Sequence, residues 1–190
     1  LQMDQPSNGF YFDYPPQYGR LAGRLDVATG ANFQVTSSSG YTTELTLRGA
    51  VTGAGQIEVE DNATLIIDGN LTGFTGAFSL SRNGGPATLE LKPDSSNGSP
   101  QTSIFSAPVV LNDTASDLTL SPIGADMTVA GTISGVGSVS MGWRSTGVVY
   151  LSGANSYTGR TNISAGTLEA SAGALASTGS ILVPGGLLKA

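Results

Sequence analysis

The chain has 190 residues and a net charge of −6; only 12% of its residues are charged, against roughly 25% in an average soluble domain. It contains no histidine and no cysteine, which excludes a His-based triad, a thiolate nucleophile, disulfides and Cys/His zinc sites. The eight basic residues are spread from Arg20 to Lys189, so neither a phosphate-tracking surface for nucleic acid nor a polybasic lipid patch is expected.

Residues 1–22 open the chain with Phe10-Tyr11-Phe12, Tyr14, Pro15-Pro16 and Tyr18. They read as an N-terminal cap or linker, because the end of a stacked fold must hide its edge. The alternative is an exposed aromatic platform for a sugar or a protein. The chain begins at Leu1 without a visible signal peptide, which suggests a processed product or a piece of a longer protein.

From residue 23 to 190 the signal is strand. Apolar-polar-apolar triplets recur at Leu25-Asp26-Val27, Phe33-Gln34-Val35, Leu45-Thr46-Leu47, Ile57-Glu58-Val59, Phe78-Ser79-Leu80, Leu89-Glu90-Leu91, Leu118-Thr119-Leu120 and Met127-Thr128-Val129. Period-two alternation puts the outer two residues of each triplet on one face. Turn residues separate the triplets, and Lys92 to Gln101 is a longer turn-rich loop. The best helical candidate, Ala170 to Ala176, is short and broken by Gly173. Strands this short suit an all-β, right-handed parallel β-helix (a β-solenoid) with capped or fragment ends. An antiparallel sandwich or barrel also shows short strands, but Asn-Gly hairpin signals are sparse here.

The chain also repeats itself, over 49–91 and 131–170. Gly49 to Val59 (GAVTGAGQIEV) matches Gly131 to Met141 (GTISGVGSVSM). Leu65 to Ser81 lies on Val148 to Ser164 without a gap, so that Phe74-Thr75-Gly76 meets Tyr157-Thr158-Gly159. Both copies close on Thr-Leu-Glu, at Thr88 and at Thr167. Such duplication signals stacking of like coils. Phe74 and Tyr157 are expected in matching environments. Gly76 and Gly159 are expected at turns needing positive φ or close backbone approach. Asn70 and Asn155 are placed to bond turn backbone, although the alignment staggers them.

The second copy resembles the passenger-associated β-strand repeat of bacterial autotransporters. The residues that carry the resemblance are Gly153-Ala154-Asn155-Ser156-Tyr157-Thr158-Gly159, Asn162-Ile163 and Ala165-Gly166-Thr167-Leu168. Gly49 to Leu91 resembles the pattern more loosely. The resemblance implies a β-helical passenger on the bacterial cell surface or secreted, exported by an outer-membrane β-barrel in the parent protein. It also implies a structural or adhesive role, with host-cell surface, glycan or self-association partners, and possible help with passenger folding.

Some β-helical proteins cut polysaccharides, and Glu58, Glu60, Asp61 and Asp68 form the densest acidic group. Glycoside hydrolysis needs two carboxyls about 5–9.5 Å apart, and Glu58 and Glu60 share a strand face. The same group is the candidate for Ca²⁺, although no Gly-Gly-x-Gly-x-Asp repeat is present. The plainer reading is a solvated outer face. The expectation is therefore no enzyme: no catalytic residue, no cofactor-binding residue and no metal ligand, with a glycan-active enzyme using paired carboxylates as the alternative. Five Asn-x-Ser/Thr triplets, at Asn62, Asn70, Asn97, Asn112 and Asn162, read as chance in a chain so rich in these residues. Trp143, followed by Arg144, is either a contact residue or core.

Overall fold

A computed structural model describes the backbone of residues 2–3, 8–12 and 17, and all atoms of residues 18–37, 41–81, 85–93 and 100–190. The chain winds as a parallel β-solenoid of about seven turns, with no helix among the described residues. Among the described residues, every strand pairing is parallel and joins a strand to one in the next turn. The antiparallel sandwich is thereby excluded. The segment Ala170 to Ala176 follows the end of a strand with successive turns, and Gly173 sits at φ 82°.

The strands stack on three faces. The second face is one six-stranded sheet, running from Asn8–Phe12 through Asn32–Ser37, Gln56–Glu60, Ala77–Ser81 and Val109–Leu111 to Ile133–Gly135. The third is one eight-stranded sheet, from Gln17–Leu21 to Ser180–Leu182. The first face is divided. A four-stranded sheet ends at Gly73–Phe74, and a five-stranded sheet begins at Ser103–Phe105. The strands Gln2–Met3, Asn8–Phe12 and Gln17–Leu21 pair with the turn above them and so continue the stack into residues 1–22.

Alternation explains the core. Phe33, Ile57, Phe78, Val109 and Ile133 stand one above another inside the second face. Leu45, Leu65, Leu89, Leu118 and Val139 do so inside the third. The intervening residues, such as Gln34, Glu58 and Ser79, point outward. The hydrophobic effect therefore acts along ladders that cross every turn, and each turn is stable only through its neighbours.

The two copies occupy equivalent coils, but the second is rotated by one face. Val51–Gly53, Gln56–Glu60 and Ala63–Ile67 lie on faces one, two and three. Their counterparts Ile133–Gly135, Ser138–Met141 and Val148–Leu151 lie on faces two, three and one. The ungapped alignment also slips by one residue at its start. Leu65 and Ile67 are buried, and so are Val149 and Leu151, which makes Val149 the match of Leu65 in place of Val148. A slip of one residue reverses the faces of a strand; Ile66 stands in register between the outward residues Thr46 and Glu90, so Leu65 and Ile67 are the inward ones. The alignment recovers by Phe74 and Tyr157, which are both buried.

Candidate functional site

Alternation turns Ile57 and Val59 inward and leaves Glu58 and Glu60 together on the outer face of Gln56–Glu60. Glu58 Oε2 accepts hydrogen bonds from Asn32 Nδ2 at 2.8 Å and Gln34 Nε2 at 3.0 Å, both on the turn below. Glu60 Oε1 accepts one from Ser81 Oγ at 2.9 Å, on the turn above. Partial burial pushes the Glu60 carboxyl above the usual carboxylate range, against the pull of the Ser81 bond. The charge of Glu58, a hydrogen bond shared with it, and the charge of Asp61 push it further the same way. Both carboxyls are thus engaged by side chains of the neighbouring turns.

Asp68 does not join this group. It lies past the end of Ala63–Ile67 and pairs with Arg48 Nε at 3.1 Å. Asp61 and Asn62 form the corner between faces two and three, both with left-handed φ (52° and 61°). Among the described residues, no group of three or more acidic side chains is placed to hold a metal ion.

The other singled-out residues are dispersed. Trp143 is 73% exposed, and the Arg144 guanidinium lies over its ring at 4.3 Å from the centroid. The structure thus decides against a core role for this tryptophan. Asn70 is exposed in its own turn, Asn112 donates to Ser79 Oγ at 2.9 Å, and Asn162 is half-buried. Asn97 lies outside the described residues, as do the side chains of Phe10, Tyr11, Phe12 and Tyr14. Tyr18 is exposed.

The sequence reading passed over two polar clusters. On the outer third face, Asp117 accepts hydrogen bonds from Thr119 Oγ1 at 2.7 Å and Ser140 Oγ at 2.8 Å. Burial pushes its carboxyl upward, and those two bonds pull it back. Inside the solenoid, Asn155 Oδ1 accepts from the Ile133 N–H at 2.9 Å, and Asn155 Nδ2 donates to the Ala174 carbonyl at 3.2 Å. One side chain therefore joins three successive turns. Next to it, Tyr157 Oη, Thr161 Oγ1 and Thr178 Oγ1 form a chain with contacts of 2.6 and 2.9 Å, ending on the Gly159 carbonyl at 2.8 Å. A signal for this was present: Leu151, Gly153, Asn155 and Tyr157 continue the inward alternation of their strand.

Asn155, Tyr157 and Thr161 of this inner network sit in the segment that the comparisons single out. Residues 145–170 match the family model of the passenger-associated transport repeat. The segment is a repeat of the autotransporter passenger type. No curated protein and no solved structure matches the chain. The matched repeat begins beside the Trp143 corner and spans Val148–Leu151, Arg160–Ile163 and Thr167–Ala170. Its motif residues Asn155 and Tyr157 face inward and work in packing, leaving the outer surface of the repeat to other residues. Among the described residues, no helix is long and apolar enough to cross a membrane.

Proposed function

We propose that this chain is a rigid stalk segment of an exported bacterial passenger, carried through the outer membrane by a β-barrel of the parent protein. The observation that carries the reading is the passenger repeat at 145–170, set within a stack whose third face is one continuous eight-stranded sheet. Such a stack makes a long, stiff body rather than a reaction cleft. Its outer rows of Ser, Thr, Asn and Gln offer many weak hydrogen bonds over a long face, which suits multivalent surface contact. Adhesion to a host surface, and a part in folding the passenger, belong to this proposal. So does the absence of enzymatic activity: Glu58 is held by Asn32 and Gln34, and Glu60 by Ser81.

The test is surface labelling of intact bacteria that produce the full-length parent protein. An antibody to this segment labels intact cells if the segment is displayed. Labelling only after lysis of the outer membrane overturns the reading. A Glu58→Gln variant that abolished a measured glycan-cleaving activity would overturn the non-enzyme part.

A further inference from the structure

The division of the first face has a local cause. In a parallel ladder, alternate residues serve the strand below and the strand above. On the lower rim the Thr72 N–H is taken by Asn70 Oδ1 at 2.7 Å, and the Phe74 N–H by the Leu71 carbonyl at 2.9 Å. Both donors that a next strand would need are consumed within the turn. On the upper rim Ser103 donates to the Asp126 carbonyl at 3.3 Å, and Phe105 accepts from the Ala130 N–H at 2.8 Å. Both residues serve the turn above. The N–H and C=O of Ile104 therefore face the gap, and no hydrogen bond to either is found among the described residues.

The gap is a groove of two adjoining depressions, about 330 and 380 Å³, that share Leu71, Thr72 and Ile104. No charged side chain is among the described residues that line it; its polar groups are amides and hydroxyls, such as Asn70, Gln101 and Ser103. The Ile104 side chain stands 56% exposed between the rims. The two aromatic residues of the lining, Phe74 and Phe105, are buried and offer no open ring face for a sugar to stack on. The described lining supplies no charged partner to a charged occupant. What the groove presents is a short length of unpaired strand edge beside a neutral, partly apolar wall.

We propose that this groove binds an extended, uncharged peptide segment of a partner protein, added as a strand along the Ile104 edge. Strand addition of this kind draws its affinity from main-chain hydrogen bonds and tolerates many sequences. The site is an addition to the stalk reading and stands whether or not the parent is exported.

The test uses a fluorescently labelled, capped Thr-Val-Thr-Val-Thr peptide, titrated with the whole chain and followed by anisotropy. Ile104→Ala keeps the N–H that faces the groove, whereas Ile104→Pro removes it without touching the bonds made by Ser103 and Phe105. The chain is expected to bind saturably, Ile104→Ala to bind comparably, and Ile104→Pro to bind about tenfold more weakly with an unchanged far-UV dichroism spectrum. Thr72→Trp, which fills both depressions from the opposite rim, is expected to abolish binding and serves if the proline variant misfolds. The proposal is overturned if the parent chain shows no saturable binding, or if Ile104→Pro and Thr72→Trp bind as the parent does. It is equally overturned if maltotriose or chitotriose binds the groove and displaces the peptide with no sensitivity to Ile104→Pro.

Discussion

The two copies share a backbone and differ in what fills it. Gly53 and Gly135 adopt the same left-handed conformation, φ 100° and 103°. A Cβ at either would run into the carbonyl of the turn below, Val27 or Leu111. Gly76 and Gly159 repeat the likeness, each pressed on the carbonyl of Gly55 or Gly137. Inside, the first copy is apolar: the Phe74 and Phe78 rings lie 5.2 Å apart at a tilt of 56°. The second puts Tyr157 and Thr161 in those places and joins them by a 2.6 Å hydrogen bond. The N–H of Val51 is met by the Asn70 carbonyl, whereas that of the matching Ile133 is met by a side chain, Asn155 Oδ1. The difference teaches that the coil specifies shape, and that its interior accepts either a ring pair or a fully satisfied polar chain. A partly satisfied chain would be worse than either.

The comparison predicts unequal costs for truncation. The largest belongs to the first copy: Phe78→Ala empties a stacked ring from the core and should cost about 3–5 kcal/mol. Chemical denaturation measures it, and a loss near that of an exposed position would show that the ring pair is not core. Asn155→Ala follows, because it orphans the Ile133 N–H and the Ala174 carbonyl together, at about 2–4 kcal/mol. Asn70→Ala should cost less than about 1 kcal/mol, since it releases an exposed turn to water. If the two asparagines cost the same, the contrast between copies fails.

Smaller effects sharpen the same point. Tyr157→Phe makes the second copy more like the first and removes one hydroxyl, leaving Thr161 bonded to Thr178; about 1 kcal/mol is expected. The pH dependence is smaller still. Burial first, then the Glu58 charge, raises the Glu60 carboxyl in the folded chain. The folded state thus holds this proton where the unfolded state releases it. The contribution is complete below the unfolded pKa and is lost as pH rises through the raised folded value. Gly142 stands at the matching position of the second copy, so only the first carries this sensitivity. Urea midpoints at acidic and neutral pH should show Glu60→Gln gaining on the parent as pH rises. A gain on lowering the pH would reverse the sign.

Much of this was legible in the sequence. Triplets such as Ile57-Glu58-Val59 declare their inward and outward sides, and the glycine pairs declare equivalent corners. The ladder Phe33-Ile57-Phe78 follows from stacking those triplets. Two things were hidden. The rotation of the copies by one face depends on how many residues each corner consumes, which alternation does not encode. The division of the first face depends on two short-range hydrogen bonds around Asn70 and Leu71 that divert donors from the ladder. The acidic group misled for a related reason: Asp68 is seven residues from Asp61 in sequence, but a strand and a corner separate them.

The absence of cysteine permits a direct test of the rotated stack. Ser140 is the register partner of Thr119 on the third face, whereas Val110 lies on the second face above Ser79. Two double variants, Thr119→Cys with Ser140→Cys and Val110→Cys with Ser140→Cys, are to be compared under mild oxidation. The stack described above predicts rapid disulfide formation in the first and none in the second. Cross-linking of Val110→Cys with Ser140→Cys, and not of the Thr119→Cys pair, would place both copies on the same face and contradict it.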